Sequence, residues 1–415
     1  MKRALIFSLA YIPYVGGAEL AIKEITDRLD PNEYAFDMIT LRFDHKLPEI
    51  ERIGNVTVYR IGLTSQNVKV SDRALPWPCR LAKLLFPITA FFKALTLSRK
   101  LRQGPALPQG GYDMIWAMMA NQAGFAALFF KFAYPEIQYF LELQDGTSLS
   151  QIKWRRPITT LLWPLYRAIY RHADAIKAIS YFIERLAREI GYKGRTFVIP
   201  NGVDIARFSV DVPEDELLEL KVKLGKKMGD VFLLTASRLV LSRGVEDVVR
   251  SLKNLPHNVK FLVAGDGEDR YKLETIARES GVVGRVIFAG HVDHRELSLY
   301  FKISDIFVRP SIIEGMGSAF IESFAAGIPV IATPVGGIPD FLFDPDRDPD
   351  MEPTGLFCNV HDPESIARAV KRYMDDPVLT ARIVKNARAL AEEKYDWNLI
   401  SREVKTRVFD YLLKV

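Results

Sequence analysis

Short apolar runs alternate with amphipathic stretches along the whole chain, and this alternation restricts the fold more than any other feature. One series of runs covers residues 4–9, 36–41, 56–60, 113–117, 137–143, 175–179 and 196–199. A second covers 231–236, 260–264, 286–289, 306–309, 330–333 and 355–360. Between them, stretches such as 18–29, 182–190, 245–252 and 364–374 carry apolar residues at helical spacing. Strand and helix alternating at this length imply parallel sheets covered by helices on both faces. Pro, Gly and an acidic run (Asp211, Glu214, Asp215, Glu216) interrupt the pattern near 201–212. The expected fold is therefore α/β, with two Rossmann-like doubly wound domains over 1–203 and 204–395. Ligands of such domains bind outside the carboxyl ends of the strands.

Composition agrees. The chain has 415 residues, 48% hydrophobic and 26% charged, as in soluble globular proteins of two or three domains. A net charge of +5 is too small to argue for nucleic acid, but it is unevenly divided. Residues 1–200 hold 27 Lys/Arg against 17 Asp/Glu, and residues 201–415 hold 29 against 34. Two cysteines, Cys79 and Cys358, exclude a disulfide framework or a multi-cysteine zinc site and fit a reducing compartment. Neither has a nearby histidine to make it a nucleophile. The apolar start imitates a secretory signal, but Pro13 and the lack of a small-residue cleavage site favour a buried strand. No apolar run reaches ~18 residues without interruption, so no transmembrane helix is expected.

The segment 309–340, RPSIIEGMGSAFIESFAAGIPVIATPVGGIPD, is the most informative. A strand ends at Arg309-Pro310-Ser311, and Glu314-Gly315-Met316-Gly317-Ser318 opens a helix carrying Glu322. Glycines there let the backbone approach a ligand and leave amides free at a helix start, which suits a phosphate. A carboxylate just before can accept hydrogen bonds from sugar hydroxyls, and one two turns on can take a ribose diol. Arg238 and Arg243 lie five residues apart in a loop after a strand.

The segment resembles the Glu-x7-Glu signature of the family-four retaining glycosyltransferases, which have the GT-B fold. Other stretches follow in that family's order over nearly the whole chain: PYVGGAE at 13–19, IPNGVD at 199–204, SRLVLSRG at 237–244, FLVAGDG at 261–267 and FAGHV at 288–292. The resemblance implies two domains facing across a cleft, the acceptor bound by the first and a nucleotide sugar by the second. Tyr395-Asp396-Trp397 looks like the family's crossover, returning a last helix within 396–415 to the first domain. By the same resemblance, Glu314 holds the donor sugar with Arg238 and Arg243 on the diphosphate. Gly315, Met316, Gly317, Ser318 and Ala319 line the phosphate, and Glu322 takes the ribose. Gly16 and Gly17 close over the phosphates from the other domain. The family works without metal or other cofactor, its cations and a helix N-terminus neutralising the leaving diphosphate. His291, in FAGHV, is a candidate beside the nucleotide base, a structural role being equally open.

Two departures stand out. The family's His-Asp pair after the fifth strand is Gln144-Asp145 here, so positioning of sugar or acceptor survives but proton transfer does not. Asp340 replaces the usual glutamate after Gly336-Gly337. The carboxylates of 344–350 lack the glycine and glutamate of a calcium loop and are expected to be a solvated insertion.

Two stretches carry no acid: 73–112 has seven Lys/Arg, with Leu81, Leu84, Leu85, Ile88, Phe92 and Leu95 at helical spacing, and 146–173 has five, with Trp154, Trp163, Tyr166 and Tyr170. They fit either an anionic membrane surface or helices packed on the first sheet. Nucleic acid is not expected, because no binding motif accompanies the charge. The expectation is a cytoplasmic retaining hexosyltransferase, peripheral on the inner membrane face, using a UDP- or GDP-linked sugar and a glycan or lipid-linked acceptor in envelope or exopolysaccharide synthesis. A nucleotide-sugar epimerase and an inactive donor-binding subunit are the alternatives. A glycan phosphorylase would need a pyridoxal phosphate lysine, for which there is no motif.

Overall fold

The structure, a computed structural model, describes residues 1–66, 68, 75–101, 111–149 and 162–414. The chain divides into two units, Met1–Asn201 with Trp397–Val415, and Gly202–Asp396. Val203 belongs to the second because its amide donates to the Tyr395 carbonyl at 2.7 Å, tying the unit's two ends together.

In the first unit the strands are β1 (Lys2–Phe7), β2 (Tyr34–Leu41), β3 (Ile50–Ile53), β4 (Val56–Ile61), β5 (Met114–Met118), β6 (Gln138–Leu143), β7 (Ala175–Ala178) and β8 (Arg195–Val198). They form one sheet in the order β3-β4-β2-β1-β5-β6-β7-β8. The apolar start of the chain is thus a central strand, parallel to both β2 and β5. Only β3 runs antiparallel, against β4. Its sequence, Ile-Glu-Arg-Ile, shows no apolar run because it lies at the edge with alternate residues exposed. Gly54, at φ +55°, turns the chain back beside it. The closing segment, Trp397 to Leu413, packs on this sheet. Trp397, Ile400, Val404 and Phe409 join its core, and Phe409 meets Phe36, Trp116 and Phe140.

The second unit has β9 (Val231–Ala236), β10 (Val259–Ala264), β11 (Val286–Gly290), β12 (Ile306–Arg309), β13 (Val330–Ala332) and β14 (Leu356–Phe357). Every pairing in its sheet, ordered β11-β10-β9-β12-β13-β14, is parallel. The acidic 344–350 stretch is exposed or half-buried, as expected, except for its first carboxylate. Asp344 is buried, its carboxylate accepting the amides of Asp346 and Phe357, while Asp346 pairs with Arg372.

Helix Trp77–Leu101 presents the opposite face to the one a core helix would bury. Cys79, Ala82, Phe86, Ala90, Ala94 and Leu97 are buried, and the four small ones among them let the helix lie close to helix Gln122–Ala133. The bulky residues Trp77, Leu81, Leu84, Leu85, Ile88 and Phe92 are exposed, Phe92 by 60%. The expected alternative, in which this leucine stripe packs on the sheet, does not hold. By length and composition the helix is also long and apolar enough to cross a membrane, although Lys83 and Lys93 interrupt the run. In the second acid-free stretch, Tyr166 and Tyr170 are core residues bonded to each other at 3.1 Å, and Trp163 stacks on Tyr166. Trp154 lies outside the described residues.

Candidate active site

Strand order in the second unit reverses between β9 and β12. At such a switch point the loops leaving the carboxyl ends diverge and open a crevice. Those loops are 237–244, with both candidate arginines, and 310–317, with Glu314. They are clasped together: Ile312 donates its amide to Ser242 O at 2.8 Å. A Cβ on Gly244, at φ +66°, would lie 2.0 Å from Pro310 O, so only glycine permits this approach. A third loop, after β13, is tied in by Thr333 Oγ1, which donates to Ser311 O.

Glu314 is 7% exposed. Its Oε2 accepts from Arg243 Nη1 at 2.6 Å, Arg309 Nη2 at 2.9 Å and Ser311 Oγ at 3.3 Å. Arg309 was not among the expected site residues. It ends an apolar strand and the sequence gives no sign that its side chain turns in toward Glu314. The guanidinium is buried on the Phe320 ring, 4.2 Å from the centroid, and burial pushes its pKa down to about 10 although Glu314 acts against the fall. The two arginines expected to act alike differ. Arg243 is half-buried and bound to Glu314, while Arg238 is exposed and its side chain has no partner among the described residues.

Helix Ser318–Ala326 follows Gly317, at φ +89°, without a side-chain cap on its first amides. The Phe320 amide donates to Gly317 O at 3.0 Å, and no side chain caps the amides before it. Gly315 and Met316 are buried, the Met316 side chain in the core. Ser318 and Ala319 are half-buried. Glu322 is also buried, and its partner is His294, with Nε2 3.3 Å from Oε1. The hydrogen bond to Glu322 raises the His294 pKa, opposed by burial and by Arg207, whose Nη1 is 2.7 Å from Nδ1. The expected histidine, His291, is exposed and no hydrogen bond to it occurs among the described residues. Nothing in the local sequence separates these two histidines, three residues apart.

In the first unit the order reverses between β1 and β5. The loop after β1 leads to Gly16 and Gly17, both exposed, at the start of helix Gly17–Asp27. Gly16 donates its amide to Glu19 Oε2 at 2.9 Å, and burial raises the Glu19 pKa. A Cβ on Gly17 would lie 3.9 Å from both Gln144 Oε1 and Asn201 Nδ2, so the structure brings glycine pair and glutamine together. Gln144 is held at both ends of its amide: Nε2 donates to Glu142 Oε1 at 2.9 Å, and Oε1 accepts from Asn201 at 2.9 Å. Glu142 is fully buried with Lys177, whose Nζ is 2.5 Å away, and also accepts from Trp116 Nε1 at 3.1 Å. Asp145 is exposed and accepts locally from Thr147.

Two family models match the chain: "Glycosyl transferases group 1" over residues 218–390 and "Glycosyltransferase Family 4" over residues 15–207. An uncharacterized glycosyltransferase of Methanocaldococcus jannaschii is 27% identical over 97% of this chain and 96% of its own. The alpha-monoglucosyldiacylglycerol synthase of Streptococcus pneumoniae is 31% identical over 40% of this chain and 39% of its own. Among solved structures, sucrose-phosphate synthase from Thermosynechococcus elongatus is similar over the full length of both chains, with a TM-score of 0.79 at 20% identity. Anabaena HepE, solved with UDP and glucose, is similar over 99% of this chain and 100% of its own, with a TM-score of 0.75 at 19% identity.

Proposed function

As the chain belongs to the family-four glycosyltransferases of GT-B fold, we propose that it moves a hexosyl unit, with retention and without metal, from a UDP- or GDP-linked sugar to a glycan or lipid-linked acceptor. One observation carries this reading: at the switch point of the second sheet, Glu314, Arg243 and the uncapped start of helix Ser318–Ala326 converge, with Glu322 about one turn along. Glu314 Oε1, which accepts no hydrogen bond among the described residues, takes a donor hydroxyl. Amides of 317–319 and the Arg238 and Arg243 guanidiniums take the diphosphate, and Glu322, oriented by His294, takes the ribose. The bond from the anomeric carbon to the phosphate oxygen breaks as the acceptor oxygen attacks from the same face, and the acceptor's proton passes to that phosphate oxygen. Cations and helix amides stabilise the departing negative charge. Gln144, fixed at both ends of its amide, positions substrate and transfers no proton.

The test begins with a thermal-shift panel of UDP-, GDP- and ADP-sugars. A donor at 100 times its Kd adds roughly 2.7 kcal/mol to stability. The stabilising donor is then assayed for transfer with and without chelator, and the anomeric configuration of the product is read by NMR. Free sugar epimer formed without acceptor would replace the proposal with an epimerase.

The acceptor side of the proposal is a membrane. Helix Trp77–Leu101 carries no acidic residue, exposes six large apolar side chains on one arc, and ends in the exposed cations Arg99 and Lys100. That combination supports shallow insertion into an anionic leaflet and a cytoplasmic, peripheral location, where a lipid-linked acceptor of the cell envelope would be met.

A further inference from the structure

Two arginines share one oxygen of Glu314, although a single cation would neutralise it. They differ in freedom. The Arg309 side chain is 6% exposed, lies on Phe320, and donates through Nη1 to Ala236 O at 3.3 Å. A Cβ on Gly317 would come within 2.4 Å of its Nη2, so that glycine lets the guanidinium lie directly beneath the start of helix Ser318–Ala326. The Arg243 side chain is 30% exposed on a short turn, and its other acceptor is a neutral carbonyl, Ile313 O, at 3.2 Å. A carboxylate as buried as Glu314 is strongly destabilised if left without a cation. Arg243 can therefore leave Glu314 only because Arg309 remains.

We propose that Arg309 is a positioning residue that retains Glu314 so that Arg243 can exchange it for the donor's diphosphate. The inference rests on the nucleotide-sugar reading above. Without ligand, both arginines hold Oε2. When a diphosphate enters, Arg243 turns from the carboxylate oxygen to phosphate oxygens, while Arg309 and Ser311 keep hold of Glu314 with Oε1 directed at the ligand. Lacking Arg309, Glu314 and the diphosphate would compete for Arg243.

That competition is measurable with UDP and GDP alone, without sugar or acceptor. Calorimetric affinities are compared for the full-length wild type, Arg309→Met, Glu314→Gln and the double variant. Arg309→Met is expected to weaken binding of the preferred nucleotide by about tenfold or more. Adding Glu314→Gln to it should restore the affinity to within about threefold of Glu314→Gln alone, because the competitor for Arg243 is gone. A purely packing role for Arg309 would not be repaired by neutralising a second residue. Wild-type affinity in Arg309→Met, or a double variant as weak as Arg309→Met, would overturn the proposal. If Arg309→Met melts below the assay temperature, Arg309→Lys carries the same test with a smaller loss and the same restoration. A wild type that binds neither nucleotide removes the nucleotide-sugar reading and this proposal together. A wild type that binds, with no effect of Arg309→Met, removes this proposal alone.

Discussion

The carbonyl oxygen of Glu314 stands where a side chain on Gly336 would begin, 1.7 Å from an ideal Cβ built there at φ +59°. The loop after β13 therefore presses directly on the backbone of the principal carboxylate. Gly336→Ala combines left-handed strain with this collision and should cost at least ~2 kcal/mol of stability. At temperatures where the variant stays folded, donor turnover should fall further than acceptor affinity. Chemical denaturation and steady-state kinetics check both halves.

Glu314→Ala and Arg238→Ala each should lower transfer by about 10²–10³ or more, the scale of losing one group aimed at developing charge. Far-UV circular dichroism should show the fold retained. Arg238 is the cleaner case, because its exposed side chain holds nothing else in place among the described residues. Wild-type turnover in either variant would sink the assignment.

The Lys177–Glu142 pair is fully buried beneath Gln144. Breaking it by Glu142→Ala strands a buried ammonium and should destabilise the first unit by about 3–5 kcal/mol. The double change Glu142→Leu with Lys177→Met should cost far less, since no unpaired charge remains. Denaturant midpoints of both variants decide the point.

His294→Ala removes the partner that orients Glu322. The donor KM should rise about fivefold, near the ~1 kcal/mol of one hydrogen bond, with kcat little changed. The equivalent change at the exposed His291 should leave KM within the error of the wild type, and parallel kinetics compare the two.

Flotation with anionic vesicles tests the helix face. Leu84→Glu with Phe92→Glu removes two exposed side chains worth roughly 1.5 kcal/mol or more each on insertion, so partitioning should drop by more than about 100-fold. Equal recovery of the wild type on anionic and neutral vesicles would rule out the electrostatic part, and unchanged flotation of the variant would rule out insertion of this face.

What the sequence determined by itself was everything short-range in origin. Strand and helix alternation is a local period, and it led to two parallel sheets, missing among the described residues only the edge strand Ile50–Ile53 with its charged alternation. The Gly-rich motif announced the turn into a helix, because a positive φ at Gly317 and a start without a side-chain cap follow from residue type. The tertiary structure alone decided which side chains meet. Arg309 and Arg243 are 66 positions apart, and they converge on Glu314 because β9 and β12 are neighbours at the switch point. His294 rather than His291 reaches Glu322 through the direction its turn takes, which two histidines three residues apart do not reveal. The same holds for helix Trp77–Leu101. Its leucine spacing promised an apolar stripe, but which face of a helix is buried depends on what packs beside it, and here the face with Ala82, Phe86, Ala90 and Ala94 was buried while the leucine stripe was left outside.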